Sequence, residues 1–175
     1  MEDSIKYKPD TILPMVPLRD VVVFPSTTTA ILVGRQPSIN AVERAIETDK
    51  ILLVVTQRDP SDNEPDPPGL YKVGTIVRIG IFLRLPDGTL KIMLEGISRV
   101  RINEYVEMDN YLGARVEPIE TLEGMTKEVE ALSRKVEAQF EEYIKLNQRI
   151  PNEVMLSIQA LDDRSALADT VAAHI

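Results

Sequence analysis

The chain has 175 residues, 43% hydrophobic and 27% charged, enough for one domain or two small ones with real cores. Twenty Lys and Arg against 28 Asp and Glu give a formal net charge of −8, and aromatics make up 5% with no tryptophan. This balance argues against nucleic acid, whose binding rests on basic groups at phosphates and on stacking surfaces. With no cysteine and one histidine, disulfides and His/Cys metal centres are excluded by count.

No apolar run nears the roughly 20 residues that span a bilayer, and Met1-Glu2-Asp3-Ser4 lacks the basic-then-apolar layout of a signal peptide. A cytoplasmic location with no membrane association is therefore expected. Leu13-Pro14-Met15-Val16-Pro17-Leu18 is apolar but twice interrupted by proline, which predicts an edge strand or an extended lead-in. Val21-Val22-Val23-Phe24 is too short and too β-branched to favour a helix, and Pro25 stops it. A β-branched run over 27–33 ends at Gly34.

Pro37 suits the first turn of a helix, where a missing N–H costs nothing, and Ile39, Val42 and Ile46 give that helix one apolar face. The continuous apolarity of 51–55 predicts a buried strand. Pro60, Pro65, Pro67 and Pro68, set among acids over 58–69, predict a solvated loop. The clearest local signal is Pro86-Asp87-Gly88, a hairpin turn whose positive φ glycine supplies freely. Strands over 75–79 and 81–85 lead into it and one over 90–94 leads out. Gly80 and Gly96 predict bulges or bends, devices that help a sheet curl closed. With further strands over 100–106 and 111–116, the pattern predicts a barrel or sandwich.

Beyond Glu120 the period changes to helical. Val129, Leu132, Val136, Phe140, Tyr143 and Ile144 predict an amphipathic helix over 126–147. Pro151 ends that segment and Asn152 can cap a second helix, with Val154, Ile158 and Leu161 as its stripe. Asp162 or Asp163 can cap a third, bearing Leu167 and Val171. This last helix reaches Ile175 without a stop signal, so the chain is expected to continue.

Chemistry is hard to find. The glycines of Gly69-Leu-Tyr-Lys-Val-Gly74-Thr75 have phosphate-loop spacing but no Lys-Ser/Thr pair, and are read as turn glycines flanking a strand. His174 is expected to pack or face solvent. Asp59, Asp62, Glu64 and Asp66 lack the glycine and terminal glutamate of a calcium loop. Glu120, Glu123, Glu128 and Glu130 sit where acids meet a helix N-terminal dipole. What remains is apolar surface on short strands, with Met15, Phe24, Pro25, Ile81, Phe82 and Leu85 as candidate contacts for a partner.

The segment from Leu13 to Pro25 resembles the start of the Lon protease N-terminal domain. The resemblance continues at Val33-Gly34-Arg35, Ala41-Val42-Glu43, residues 52–59 and Leu70-Tyr71-Lys72-Val73-Gly74-Thr75. It is strongest at Leu83-Arg84-Leu85-Pro86-Asp87-Gly88-Thr89 and Leu94-Glu95-Gly96, and it runs on through the tail from Leu167 to His174. Ser26-Thr27-Thr28 departs from the family, where many members carry Gly and a larger apolar residue.

The resemblance implies an α+β chain: a PUA-like β pseudo-barrel with one short helix over 1–120, then an α-helical segment over 121–175 cut before an ATPase and a serine–lysine peptidase. It implies a non-catalytic recognition and assembly module of an ATP-dependent protease that degrades misfolded and short-lived regulatory proteins. It further implies unfolded or degron-bearing protein substrates, and partner subunits in a homo-oligomeric, hexameric ring. No cofactor would lie in this segment; ATP and Mg²⁺ would belong to the ATPase part. The PUA-like architecture also prompts an alternative, a nucleic-acid-binding module.

Overall fold

A computed structural model describes residues 11–119, 126–147, 150–151, 153–161 and 163–175. It divides into two compact units, Met1–Ile119 and Glu120–Ile175.

The first unit holds strands β1 (Ile12–Leu18), β2 (Thr28–Val33), β3 (Ile51–Thr56), β4 (Val73–Arg84), β5 (Leu90–Glu107) and β6 (Leu112–Pro118), with helix α1 (Gln36–Glu47) after β2. The strands run in the order β2-β5-β4-β3-β1-β6, and β5 also pairs with β6. Five strands therefore close a ring, while β2 hangs on one end of β5 as a free-edged strand. Closure removes the exposed edges that an open sheet would present.

β1 is consequently an interior strand, against the expectation of an edge strand. Ile12–Pro14 pair antiparallel with β6, whereas Met15–Leu18 pair parallel with β3. Each proline lies where only one flank of the strand is paired, so its missing N–H can face the open flank. Residues 21–24 form no helix, as expected, and are an irregular connection. It is held by Thr56 Oγ1 donating to the Val21 carbonyl (2.8 Å) and Thr75 Oγ1 donating to the Val23 carbonyl (2.7 Å). Thr75 is buried, 6% exposed. Thr75→Val keeps the shape but orphans the Val23 carbonyl, which costs about 1–3 kcal/mol. A denaturant titration should show a lower midpoint with an unchanged slope; an unmoved midpoint would remove Thr75 from the account.

Two apolar cores share β3. Leu52 and Val54 face the one beneath α1, with Val42, Val77, Ile79 and Ile92. Ile51, Leu53 and Val55 face the interior of the ring, with Met15, Ile76, Val100 and Ala114. This explains the unbroken apolarity of β3, which is buried on both faces. The β4–β5 ladder shifts register between Ile76 and Val77 and again between Ile79 and Phe82. At the first shift Ile97 is the extra residue on β5. A regular strand would send Leu94 and Val100 to the same face; the bulge instead hands β5 from the first core to the second. The two shifts fall at the glycines Gly96 and Gly80, as the sequence predicts. Gly74 lies inside β4 rather than in a turn: a Cβ there would stand 2.7 Å from the Val54 carbonyl oxygen.

The hairpin turn forms as expected. Gly88 takes φ 87° and its N–H donates to the Leu85 carbonyl at 2.9 Å, while Leu85 N–H donates to Thr89 O at 2.8 Å. Ser26, where the sequence departs from the family it resembles, takes φ 59°, a left-handed conformation that glycine adopts without steric cost.

The second unit contains α2 (Lys127–Leu146), α3 (Glu153–Gln159) and α4 (Arg164–Ala172). Thr126 caps α2 by accepting from Val129 N–H at 3.2 Å, and Asp163 caps α4 by accepting from Ser165 N–H at 2.8 Å. Asn152, the predicted cap of α3, and Asp162, the alternative to Asp163, lie outside the described residues. Phe140, Ile144, Ile150, Ile158 and Leu167 form its core. The first turns of the α2 stripe stay out of that core: Leu132 is 62% exposed.

Candidate functional site

Cross-strand pairing sets the rows of the free end of the sheet. Leu32 and Leu83 both pair with Lys91, so all three side chains share one face. In the next row Ala30 pairs with Met93, opposite the bulge at Gly80 and Ile81. Ile31 and Phe82, both paired with Ile92, occupy the other face, toward the core beneath α1. The outward face therefore presents Leu32 (67% exposed), Leu83 (58%) and Ile81 (79%), with Met93 half-buried among them. Lys91 interrupts the patch, and the Arg78–Glu95 pair at 3.8 Å continues the face as a polar rim. Exposed apolar side chains beside a polar rim are the anatomy of a binding face.

The predicted contact residues disperse. Ile81 lies in this patch, Phe82 is 44% exposed on the opposite face, and Leu85 is half-buried at the hairpin tip. Phe24 and Pro25, both half-buried, lie at the other end of the β2–β5 ladder against Gly96. Met15 is 1% exposed and packed inside the ring, so it is a core residue and not a contact. Leu32, Leu83 and Met93 were missed by sequence reasoning. Alternation within 27–33 could have found Leu32, since Ile31 and Val33 are buried on either side of it.

A cleft of about 640 Å³ runs along the unpaired edge of β2, between residues 30–35 and residues 16–21. Arg35 stands at its end as the N-cap of α1. Its Nη2 donates to Gln57 Oε1 (2.8 Å) and to the Asp62 carbonyl (3.3 Å), while Nη1 is buried without a partner among the described residues. Burial, and then repulsion from Arg19, push the Arg35 guanidinium below its ordinary value against an opposing pull from Asp62. Buried Gln57 also donates to the Asp59 and Asp62 carbonyls at 2.6 and 2.9 Å, tying the acidic loop to the barrel.

The other chemical candidates are accounted for locally. Asp59 accepts from the Ser61 hydroxyl (2.6 Å) and N–H (2.9 Å), which hold its carboxyl below the usual range. Asp62 and Asp66 accept from Glu64 N–H and Gly69 N–H. Glu128 and Glu130 lie in the first turn of α2, with Glu130 paired to Arg134 at 2.6 Å; Glu120 and Glu123 lie outside the described residues. His174 packs edge-on against Phe140, and its Nδ1 lies 2.7 Å from the Thr170 carbonyl. Among the described residues no three acids or histidines converge as metal ligands, and no helix is long and apolar enough to cross a membrane.

An α+β barrel carrying an exposed apolar face has the features of a binding module. Residues 12–175 match the family model of the ATP-dependent protease La (LON) substrate-binding domain, and the chain belongs to that family. It is 43% identical over 162 residues to the Lon protease of Azospirillum brasilense, and 43% identical over 163 residues to that of Haemophilus influenzae. Each match covers 93% of this chain, which spans about one fifth of the length of those relatives. The N-terminal domain of Mycobacterium avium complex Lon protease superposes with TM-score 0.75 at 20% identity, over 91% of this chain and 81% of that one. A Xanthomonas campestris Lon N-terminal domain protein gives 0.55 at 22% identity, over 93% and 98%. Residues 12–175 are thus accounted for by the substrate-binding domain of the Lon family.

Proposed function

We propose that the chain selects unfolded or degron-bearing proteins for an ATP-dependent serine protease that removes misfolded and short-lived regulatory proteins in the cytoplasm. In this reading residues 1–120 do the recognising, and residues 121–175 lead to an ATPase part that holds ATP and Mg²⁺ and a peptidase part with a Ser-Lys dyad. The whole works as a homo-oligomeric, hexameric ring. The observation that carries the reading is the outward row Leu32–Lys91–Leu83 with Ile81 beside it, apolar side chains left in water on a rigid sheet. Unfolded chains expose apolar segments, and burying such side chains is the main attraction available to a binder that must accept many sequences.

The test is a titration of the chain with a reduced, alkylated, permanently unfolded protein. Leu32→Glu together with Leu83→Glu should weaken binding at least about tenfold, since each buried leucine contributes on the order of 1.5–3 kcal/mol. Because both positions are exposed, the melting temperature should hold. Unchanged affinity in a folded double variant would dismiss this face as the site.

A further inference from the structure

We propose that the cleft beside β2 takes an extended peptide as an added strand, its C-terminal carboxylate seated at the N-terminus of α1 by Arg35, Ser38 and Arg19. This deepens the substrate-recognition reading and rests on it.

β2 pairs only with β5, and no described group bonds the outward N–H and C=O groups of Thr28–Val33. An unpaired edge of this kind is a template for strand addition. The cleft of about 640 Å³ lies along that edge, within the size range of ligand-binding pockets. Its opposite wall includes Pro17, which has no N–H to offer, and Leu18, whose carbonyl is already taken by Gln57 N–H at 2.7 Å. Pro17 offers the cleft no backbone donor, so the free donors there are those of β2.

The end of the cleft has a different chemistry. Arg35 caps α1 without a side-chain hydrogen bond, and no acid occupies the first turn. The positive end of the helix dipole is left unopposed. Ser38 lines the cleft, the residue is 4% exposed, and its hydroxyl has no hydrogen-bond partner among the described residues. Arg19 and Arg35 bring two guanidiniums to the same cleft, near enough to repel each other. Asp20 also lines it and makes no ion pair with either arginine. Two cations, an open helix N-terminus and a free hydroxyl together fit a carboxylate.

Arg35, Ser38 and Pro17 also line a second cleft of about 580 Å³, so the two clefts meet at these residues. A ligand strand that ends at these residues presents its terminus to them. With its carboxylate at Arg35, beyond the C-terminal end of β2, the added strand runs parallel to β2. Alternate side chains then extend the outward face beside Ala30 and Leu32. The preferred ligand is an extended segment with alternating apolar residues and a free C-terminus.

The test uses the whole chain and a short N-terminally labelled peptide of alternating valine and threonine, followed by fluorescence anisotropy. Three forms are compared: free carboxylate, C-terminal amide, and amide with an internal aspartate. The free acid should bind about tenfold more tightly than the amide, the scale of one or two charge-assisted hydrogen bonds. Arg35→Gln and Ser38→Ala should each erase most of that difference while leaving amide binding unchanged; Ser38→Ala serves if Arg35→Gln fails to fold. Amide exchange of Thr28–Val33 should slow in the complex. Equal binding of acid and amide, equal binding of the aspartate peptide, or unprotected β2 amides would each overturn the inference. If the permanently unfolded protein still binds in that case, the apolar reading survives alone; if neither it nor the peptides bind, both fall.

Discussion

Gly96→Ala is expected to destabilise the barrel by about 3 kcal/mol or more, the upper end of the range for overpacked sites. A Cβ at that position would stand 2.0 Å from the Phe24 carbonyl oxygen and 3.2 Å from Pro25 Cα. The obstacle is backbone, so no rotamer change relieves it. Residues 21–27 would have to lift away, breaking the bonds that join Ser26 N–H to Gly96 O and Gly96 N–H to Thr27 O, both 2.9 Å. For a chain of this length the melting temperature should fall by roughly 6–12 °C. Gly80→Ala is the control, because its Cβ would meet nothing closer than the Met93 carbonyl at 3.5 Å, an ordinary contact. It should change stability by less than about 1 kcal/mol. Equal effects at the two glycines would show that Phe24 does not cross Gly96 as described.

That contrast marks the limit of sequence reasoning. Both glycines look alike in the sequence and both mark bulges, yet only one is crossed by another segment, a fact that depends on long-range packing. The hairpin at Pro86-Asp87-Gly88, the doubly buried β3 and the helical stripe of α2 are legible because each follows from a local period or turn conformation. β1 misleads because a proline excludes hydrogen bonding on one flank only, and the sequence does not say which flank is paired. Met15 and Ile81 are both apolar strand residues, 1% and 79% exposed. Only closure of the ring and the extra residue in β4 separate them. The Arg35–Ser38 cleft end was invisible because its far wall comes from 16–21, across an irregular connection.

The same bulges that set these faces also link fold to binding. The bulge at Gly80 and Ile81 keeps Phe82, 44% exposed, on the same face as the core residue Ile79, while placing Ile81 outward opposite Met93. The apolar patch is therefore a product of register and not an accident of composition. A one-residue slip in β5 would carry Ile92 outward and Lys91 inward, burying a charge without a partner. Core packing thus holds the patch in place.

In the helical unit the largest expected effect is at Phe140. This ring is 3% exposed, centres the small core of Ile144, Ile150, Ile158 and Leu167, and stacks with Tyr143 at 6.1 Å between centroids. Phe140→Ala removes a full aromatic from a core with little else to close the void, which costs on the order of 3–5 kcal/mol. A unit of this size gains only about 3–5 kcal/mol from its core, so the change is enough to unfold it. Slow amide exchange along α2, α3 and α4 should be lost, with a matching fall in helical far-UV signal. Leu132→Ala lies on the same stripe but at an exposed position, and should shift stability by less than about 0.5 kcal/mol. If Leu132→Ala proves as damaging as Phe140→Ala, the stripe packs along its whole length and the core described here is too short. If Phe140→Ala leaves exchange untouched, α2 does not draw its order from this cluster.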